Sequence, residues 1–254
     1  MLLSTAYFPP IEYFALLAKY SVVYMEACEN YQKQSYRNRC RILTSNGVEA
    51  LNVPVVHENG TFSLPVKEIR VEYSTPWVLR TERAIESAYS SSPFFIYYRD
   101  ALFAILDSHP ATLWELNRRI IDFFCAKIGI APQILETTEY LPSSAVGMTE
   151  VAGVTFAAAE NASANNSLTA FALTAAGVAP TSAENTSAGA TPAASLPDDL
   201  RNVIHPKRPN SIMHELGLER PYWQVFREKF GFIPGLSVMD LLFNEGPESI
   251  SWLR

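Results

Sequence analysis

Apolar residues at helical spacing fill IEYFALLAK at 11–19, between two short runs of different character. LLSTA at 2–6 is closed by Phe8-Pro9-Pro10, and SVVYMEA at 21–27 is β-branched and apolar, so both predict strands. A strand, a helix and a strand in so short a span predict a βαβ unit whose second strand lies parallel to the first. Ligands of such units gather at the strands' carboxyl ends. Those ends are the Tyr7-Phe8-Pro9-Pro10 turn and the segment from Glu26 to Asn30.

RNRCRIL at 37–43 and EALNVPV at 49–55 predict a hairpin across Ser45-Asn46-Gly47, whose Asn-Gly accepts positive φ. Period-two alternation puts Arg37, Arg39 and Arg41 on one face and Asn38, Cys40 and Ile42 on the other. Three helices follow, each with a start signal. One runs from Thr75-Pro76 to about Tyr89, one from Ser92-Pro93 through Leu106, and one from the Thr112/Glu115 capping box to Gly129.

From Ser144 to Ser195 the chain turns to Ala, Ser, Thr, Asn and Gly, with only Glu150, Glu160 and Glu184 charged. This predicts a mostly disordered insertion, with at most transient helix at 156–160 and 169–178. Order resumes near PDDLR at 197–201; PYWQVFREKFGFIP predicts a short amphipathic helix, and Ser237 with Asp240 starts another that Gly246-Pro247 stops. The expected class is therefore α/β: a small N-terminal βαβ sheet unit with a hairpin, covered by a layer of helices. One domain is expected in two parts, 1–143 and 196–254, around an insertion at 144–195.

Composition narrows the partners. A net charge of −6 and a pI near 5.3 argue against nucleic acid and anionic membranes, which need a broad positive field. No apolar run is long enough to predict a spanning helix, and MLLSTAYFPPIEYF has no basic leader, so an unprocessed cytoplasmic protein without membrane insertion is expected. Cys28, Cys40 and Cys125 form no C-x-x-C pair and suit buried small hydrophobes. The four histidines lack ligand spacing, so no metal is expected. No phosphate-cradling or nucleophile-elbow glycine motif occurs, and no motif names a cofactor.

Positive charge nevertheless concentrates in KQSYRNRCRI at 33–42, which carries Lys33, Arg37, Arg39 and Arg41 and no acid. The arginines suit bidentate contact with phosphate or carboxylate. They also suit a guarded sheet edge, or pairing with Glu26 and Glu29. Arg80 and Arg83 share a helix face near Trp77, either as an ion-pair row with Glu82 and Glu86 or as a second cationic wall. Tyr89, Ser92, Tyr97 and Tyr98 mark a packed corner, and Asp198-Asp199 a helix cap.

Taken together, AYFPPIEYF, KQSYRNRCRI, LNVPV, WVLRTERAIESAYSSSPFF and YWQVF…GFIPGLSVMDLLFNEGP resemble the WbqC-like protein family over about 1–140 and 197–254. The family's name comes from bacterial surface-polysaccharide loci, so the resemblance implies a role in O-antigen or related glycan assembly. Many relatives begin His-Gln-Pro-x-Tyr at the first strand, where this chain has Leu3-Ser4-Thr5-Ala6-Tyr7, so a histidine base has no counterpart. Tyr7, Lys33, Arg37, Asn38, Arg39 and the Phe243-Asn244-Glu245-Gly246-Pro247 end match the family pattern.

The resulting expectation is a pocket at the carboxyl edge of the βαβ unit. Lys33, Tyr36, Arg37, Asn38 and Arg39 would meet Tyr7 and Asn244 there, with Trp77 and Arg80 beside them and the arginines free of carboxylate neighbours. The guest would be a phosphorylated or carboxylated small molecule such as a nucleotide-sugar, with Asp240 and Glu245 as acid/base groups of a transferase. The rival is a non-catalytic interaction module presenting tyrosines, Trp77 and Trp223; a single-strand nucleic-acid binder is disfavoured by the acidic total.

Overall fold

Two parallel strands and the helix between them open the structure, a computed structural model that describes residues 1–57, 61–142, 156–158 and 199–254. Strand β1 (Leu2–Ser4) pairs in parallel with β2 (Val22–Glu26), Leu2 opposite Tyr24 and Ser4 opposite Glu26. Helix α1 (Ile11–Lys19) makes the crossover. It begins directly after Pro9-Pro10 and buries Ile11, Tyr13, Phe14, Leu16 and Leu17, so it is apolar nearly all round and lies inside the molecule.

The hairpin β3 (Arg39–Thr44) and β4 (Gly47–Asn52) closes at Gly47, whose φ of +112° a side chain would resist. Helices α2 (Trp77–Tyr89), α3 (Phe95–Asp107) and α4 (Leu113–Ile128) follow. Thr112 caps α4 by accepting from Glu115 N at 3.2 Å, and Gly129 ends it in the left-handed conformation. Ser92 does not start α3; it stands in the turn after α2, and Phe94 N donates across to Phe243 O at 3.0 Å.

Strand β5 (Gln133–Thr137) pairs in parallel with β2, and β6 (Phe156–Ala158) pairs antiparallel with β5, giving the order β1-β2-β5-β6. Neither strand is expected from the sequence pattern. Phe156–Ala158 falls where at most transient helix is predicted; the rest of 144–195 lies outside the described residues.

The C-terminal segment contains α5 (Ile212–Glu215), α6 (Arg227–Phe230), α7 (Val238–Glu245) and a 3-10 turn at Gly246–Trp252. The expected amphipathic helix in PYWQVFREKFGFIP is only the four residues of α6, none of them buried. Helix α7, in contrast, is buried from Val238 to Asn244. Phe243 stands edge-on to Tyr89 and Phe95, each at 5.2 Å, which locks α7 to α2 and α3. The backbone is stitched as well. Leu200 N donates to Leu2 O at 3.0 Å, Ile11 N to Leu236 O at 3.1 Å, and Ser237 N to Arg41 O at 2.8 Å.

Candidate functional site

At the carboxyl end of the parallel sheet the charges are already paired. Arg37 lies in the turn before β3 and is buried at 3% exposure. Its Nε and Nη2 donate to Glu29 at 2.9 and 2.5 Å, and Nη2 also donates to Ser4 Oγ at 2.8 Å. This corrects the expectation that Arg37 shares a strand face and lacks a carboxylate. Arg201 repeats the arrangement, donating to Glu26 at 3.1 Å and to Asp199 at 2.9 and 2.7 Å. Glu26 further accepts from Thr137 Oγ1 at 2.6 Å, Cys28 N at 3.0 Å and Leu141 N at 3.1 Å. The gap left between Arg37 and Arg201 is about 10 Å³, room for a single water at most.

The open space lies elsewhere. A cavity of about 620 Å³ forms between the start of α1, the β3 strand and the C-terminal segment. Arg41, Lys207, Arg208 and Arg220 line it, against two acids, Glu12 and Glu219. Lys207 Nζ contacts Gln34 Oε1, and Arg220 stacks on Trp252 at 4.4 Å. None of these four cations has an ion-pair partner among the described residues. Glu219 is exposed and tied to His214 at 2.8 Å, which raises the imidazole's pKa.

Tyr36, Tyr222, Phe232 and Trp252 supply the apolar surface, with the Tyr222 ring 5.3 Å from Phe232 and 6.2 Å from Trp252. Burial pushes the Tyr36 hydroxyl up to about 12, so it stays a neutral donor. His205 is held below its usual value by burial and by Arg208, and is neutral at pH 7.

Behind the Tyr222 wall sits Asp240, 1% exposed. Tyr222 Oη donates to its Oδ2 at 2.5 Å and Gln224 Nε2 at 3.1 Å. Gln224 also clamps Ile233, accepting from its N and donating to its O, both at 2.9 Å. Burial raises the Asp240 carboxyl to about 6 against the pull of these donors. Its carboxylate braces the cavity wall and does not line the cavity.

Of the expected site residues, the structure brings only Tyr36 to this cavity. Tyr7 is fully buried against Phe8, its hydroxyl far above its ordinary pKa through burial, and its N donates to Tyr36 O at 2.7 Å. Lys33 is exposed in the turn before β3. Asn38 donates to Val53 O at 3.0 Å and Arg39 to Asn52 Oδ1 at 2.7 Å, both within the hairpin. Asn244 caps back onto Asp240 O at 2.8 Å, and Glu245 accepts from Trp223 N at 2.9 Å. Trp77 is buried beside Tyr73, and Arg80 is exposed. The cavity of about 260 Å³ beside α2 is lined by Glu82 and Asp107, and neither Arg80 nor Arg83 is among its lining residues.

Sequence reasoning missed Glu12, Asn210, Lys207, Arg208, Arg220 and Trp252. One signal was present: His205-Pro206-Lys207-Arg208-Pro209-Asn210 is a basic run fixed by two prolines. Among the described residues no group of three His, Cys, Asp or Glu side chains is placed to hold a metal, and no helix is long and apolar enough to cross a membrane.

Comparison with known proteins adds lineage. Residues 5–170 match the WbqC-like protein family. Uncharacterized protein Rv1507c of Mycobacterium tuberculosis (strain ATCC 25618 / H37Rv) is 28% identical over 259 residues, spanning 98% of this chain and 94% of that protein. No solved structure matches the chain.

Proposed function

The chain belongs to the WbqC-like protein family, and from that premise we propose that it is a cytoplasmic group-transfer enzyme of surface-polysaccharide or related glycan assembly. Its substrate is a phosphorylated or carboxylated small molecule, such as a nucleotide-sugar, taken in the 620 Å³ cavity. The observation that carries this reading is the set Arg41, Lys207, Arg208 and Arg220, which face one cavity without ion-pair partners among the described residues. Arg41 is half-buried without an ion-pair partner, which an anion in the cavity would supply, and the exposed Lys207, Arg208 and Arg220 add positive field around it.

The aromatic surface of Tyr222, Phe232 and Trp252 offers a base or sugar ring a face to stack on. The cavity's size suits a small molecule, and the acidic total disfavours nucleic acid. In this reading residues 1–143 and 196–254 act as one domain interrupted by 144–195, which is supported by cavity walls drawn from both parts.

One observation favours a second reading. Ile96 and Tyr97 are each 75% exposed on α3, as an interaction module would present them. Thermal shift against nucleotide-sugars, nucleotides and phosphosugars separates the two. The enzyme reading expects a rise in Tm with at least one of them, lost in Arg41→Ala. No rise with any of them favours the module.

A further inference from the structure

A cavity built for an anion contains a buried carboxyl, and that needs a reason. Glu12 lies in the first turn of α1 and is 5% exposed, yet it lines the cavity. Asn210 Nδ2 donates to its Oε1 at 3.2 Å, and Gly235, at φ +66°, lies beside both it and Arg41. A Cβ on Gly235 would sit 3.8 Å from Glu12 Oε1 and 3.6 Å from Arg41 Nη1, so both groups flank one point of the cavity wall. They nevertheless form no ion pair.

The other carboxyls are otherwise engaged. Asp240 is taken by Tyr222 and Gln224 behind the wall, Glu219 is exposed and bound to His214, and Glu245 does not line the cavity. Glu12 is thus the buried acid that an anion on Arg41 would meet.

Two negative charges side by side in a desolvated site are incompatible, and the weaker acid takes up a proton. We propose that Glu12 is the proton-exchanging group of this cavity: an anion held by Arg41 meets it as a neutral carboxylic acid, which donates a hydrogen bond to the guest. This deepens the anion reading above and rests on it. Burial already raises the Glu12 pKa, against its own backbone N–H, the Asn210 amide and the Arg41 charge.

Arg41, Tyr36 and Asn210 act on Glu12 directly, and the other titratable or charged groups lining the same cavity are His205, Lys207, Arg208, His214, Glu219, Arg220 and Tyr222. Among them His205 and His214 are also able to gain a proton when an anion arrives. The sign follows directly. Anion affinity is highest where Glu12 is protonated and falls as pH rises through its raised pKa.

The test is calorimetric titration with inorganic sulfate, whose charge is constant over the range used, on the full chain. The wild-type protein is expected to bind sulfate with uptake of a proton, read from heats in buffers of different ionisation enthalpy. Its affinity should fall at least about tenfold between about pH 5.5 and about pH 8, the equivalent of one pKa unit. Glu12→Gln should bind without that dependence and more tightly than wild type at the higher pH, whereas His205→Gln and His214→Gln should each keep the dependence. Sulfate bound without proton uptake, or uptake that survives Glu12→Gln, overturns the role of Glu12 and leaves the anion reading standing. Failure of the wild-type protein to bind sulfate at either pH overturns the anion reading itself, and the Glu12 role with it. Glu12→Asp, which keeps the carboxyl, should keep the proton uptake, so its loss in Glu12→Gln but not in Glu12→Asp separates the proton from a folding defect, and its loss in both overturns the role of Glu12.

Discussion

Two arginines four residues apart, Arg37 and Arg41, meet opposite fates. Arg37 turns inward and is clasped twice by Glu29 at a gap of about 10 Å³, while Arg41 faces a cavity of about 620 Å³ and has no ion-pair partner among the described residues. The first region spends its charges on holding three chain segments together; the second keeps them available. Basic residues are therefore open to a ligand only where no carboxylate has claimed them.

The comparison breaks most visibly at Arg37. Arg37→Ala leaves Glu29 buried and uncompensated, so urea unfolding should show a loss of roughly 3–5 kcal/mol. A loss near zero would mean that the closed region is not structural.

Asp240 sharpens the contrast, because it is buried with hydroxyl and amide donors but no cation. With a folded-state pKa of about 6, above its unfolded value, it holds a proton between the two values that the unfolded chain lacks. Its contribution is therefore fully present below the unfolded value and lost as pH rises toward 6 and beyond. Across that window wild-type stability should fall relative to Asp240→Asn by about 3 kcal/mol, read from paired denaturation curves at several pH values.

Gly235→Ala tests the turn that brings Arg41 and Glu12 to one point. Its φ of +66° predicts a cost of roughly 1–2 kcal/mol in Tm-derived stability. Arg41→Ala should be the mildest change for the fold, within about 1 kcal/mol, since it gives up a hydrogen bond to Tyr36 but no ion pair. It should nonetheless lower nucleotide affinity at least about tenfold by calorimetry.

Much of the fold was legible because it rests on local signals. Pro9-Pro10 starts α1, Thr112 and Gly129 bound α4, Asn46-Gly47 turns the hairpin, and Ser237 starts α7. Strand β5 was not legible, since its five residues have no pattern of their own and are fixed by pairing with β2. The site was less legible for a similar reason. Alternation assumes that Arg37 is in a strand, whereas the chain turns through 33–38 and swings it to Glu29, eight residues earlier. Arg41, in the strand proper, stays half-buried on the face it shares with Arg39, as the period predicts. The opposing wall comes from 205–235, which no periodicity in the first half specifies.

The most direct measurement follows both arginines at once. In a titration of the full chain with UDP, the guanidinium Nε–H resonances of Arg41 and Arg220 should move and saturate together, while those of Arg37 and Arg201 stay fixed. Movement of Arg37 with Arg41 unchanged, or no movement of any of them, would contradict the division between a closed structural end and an open binding cavity.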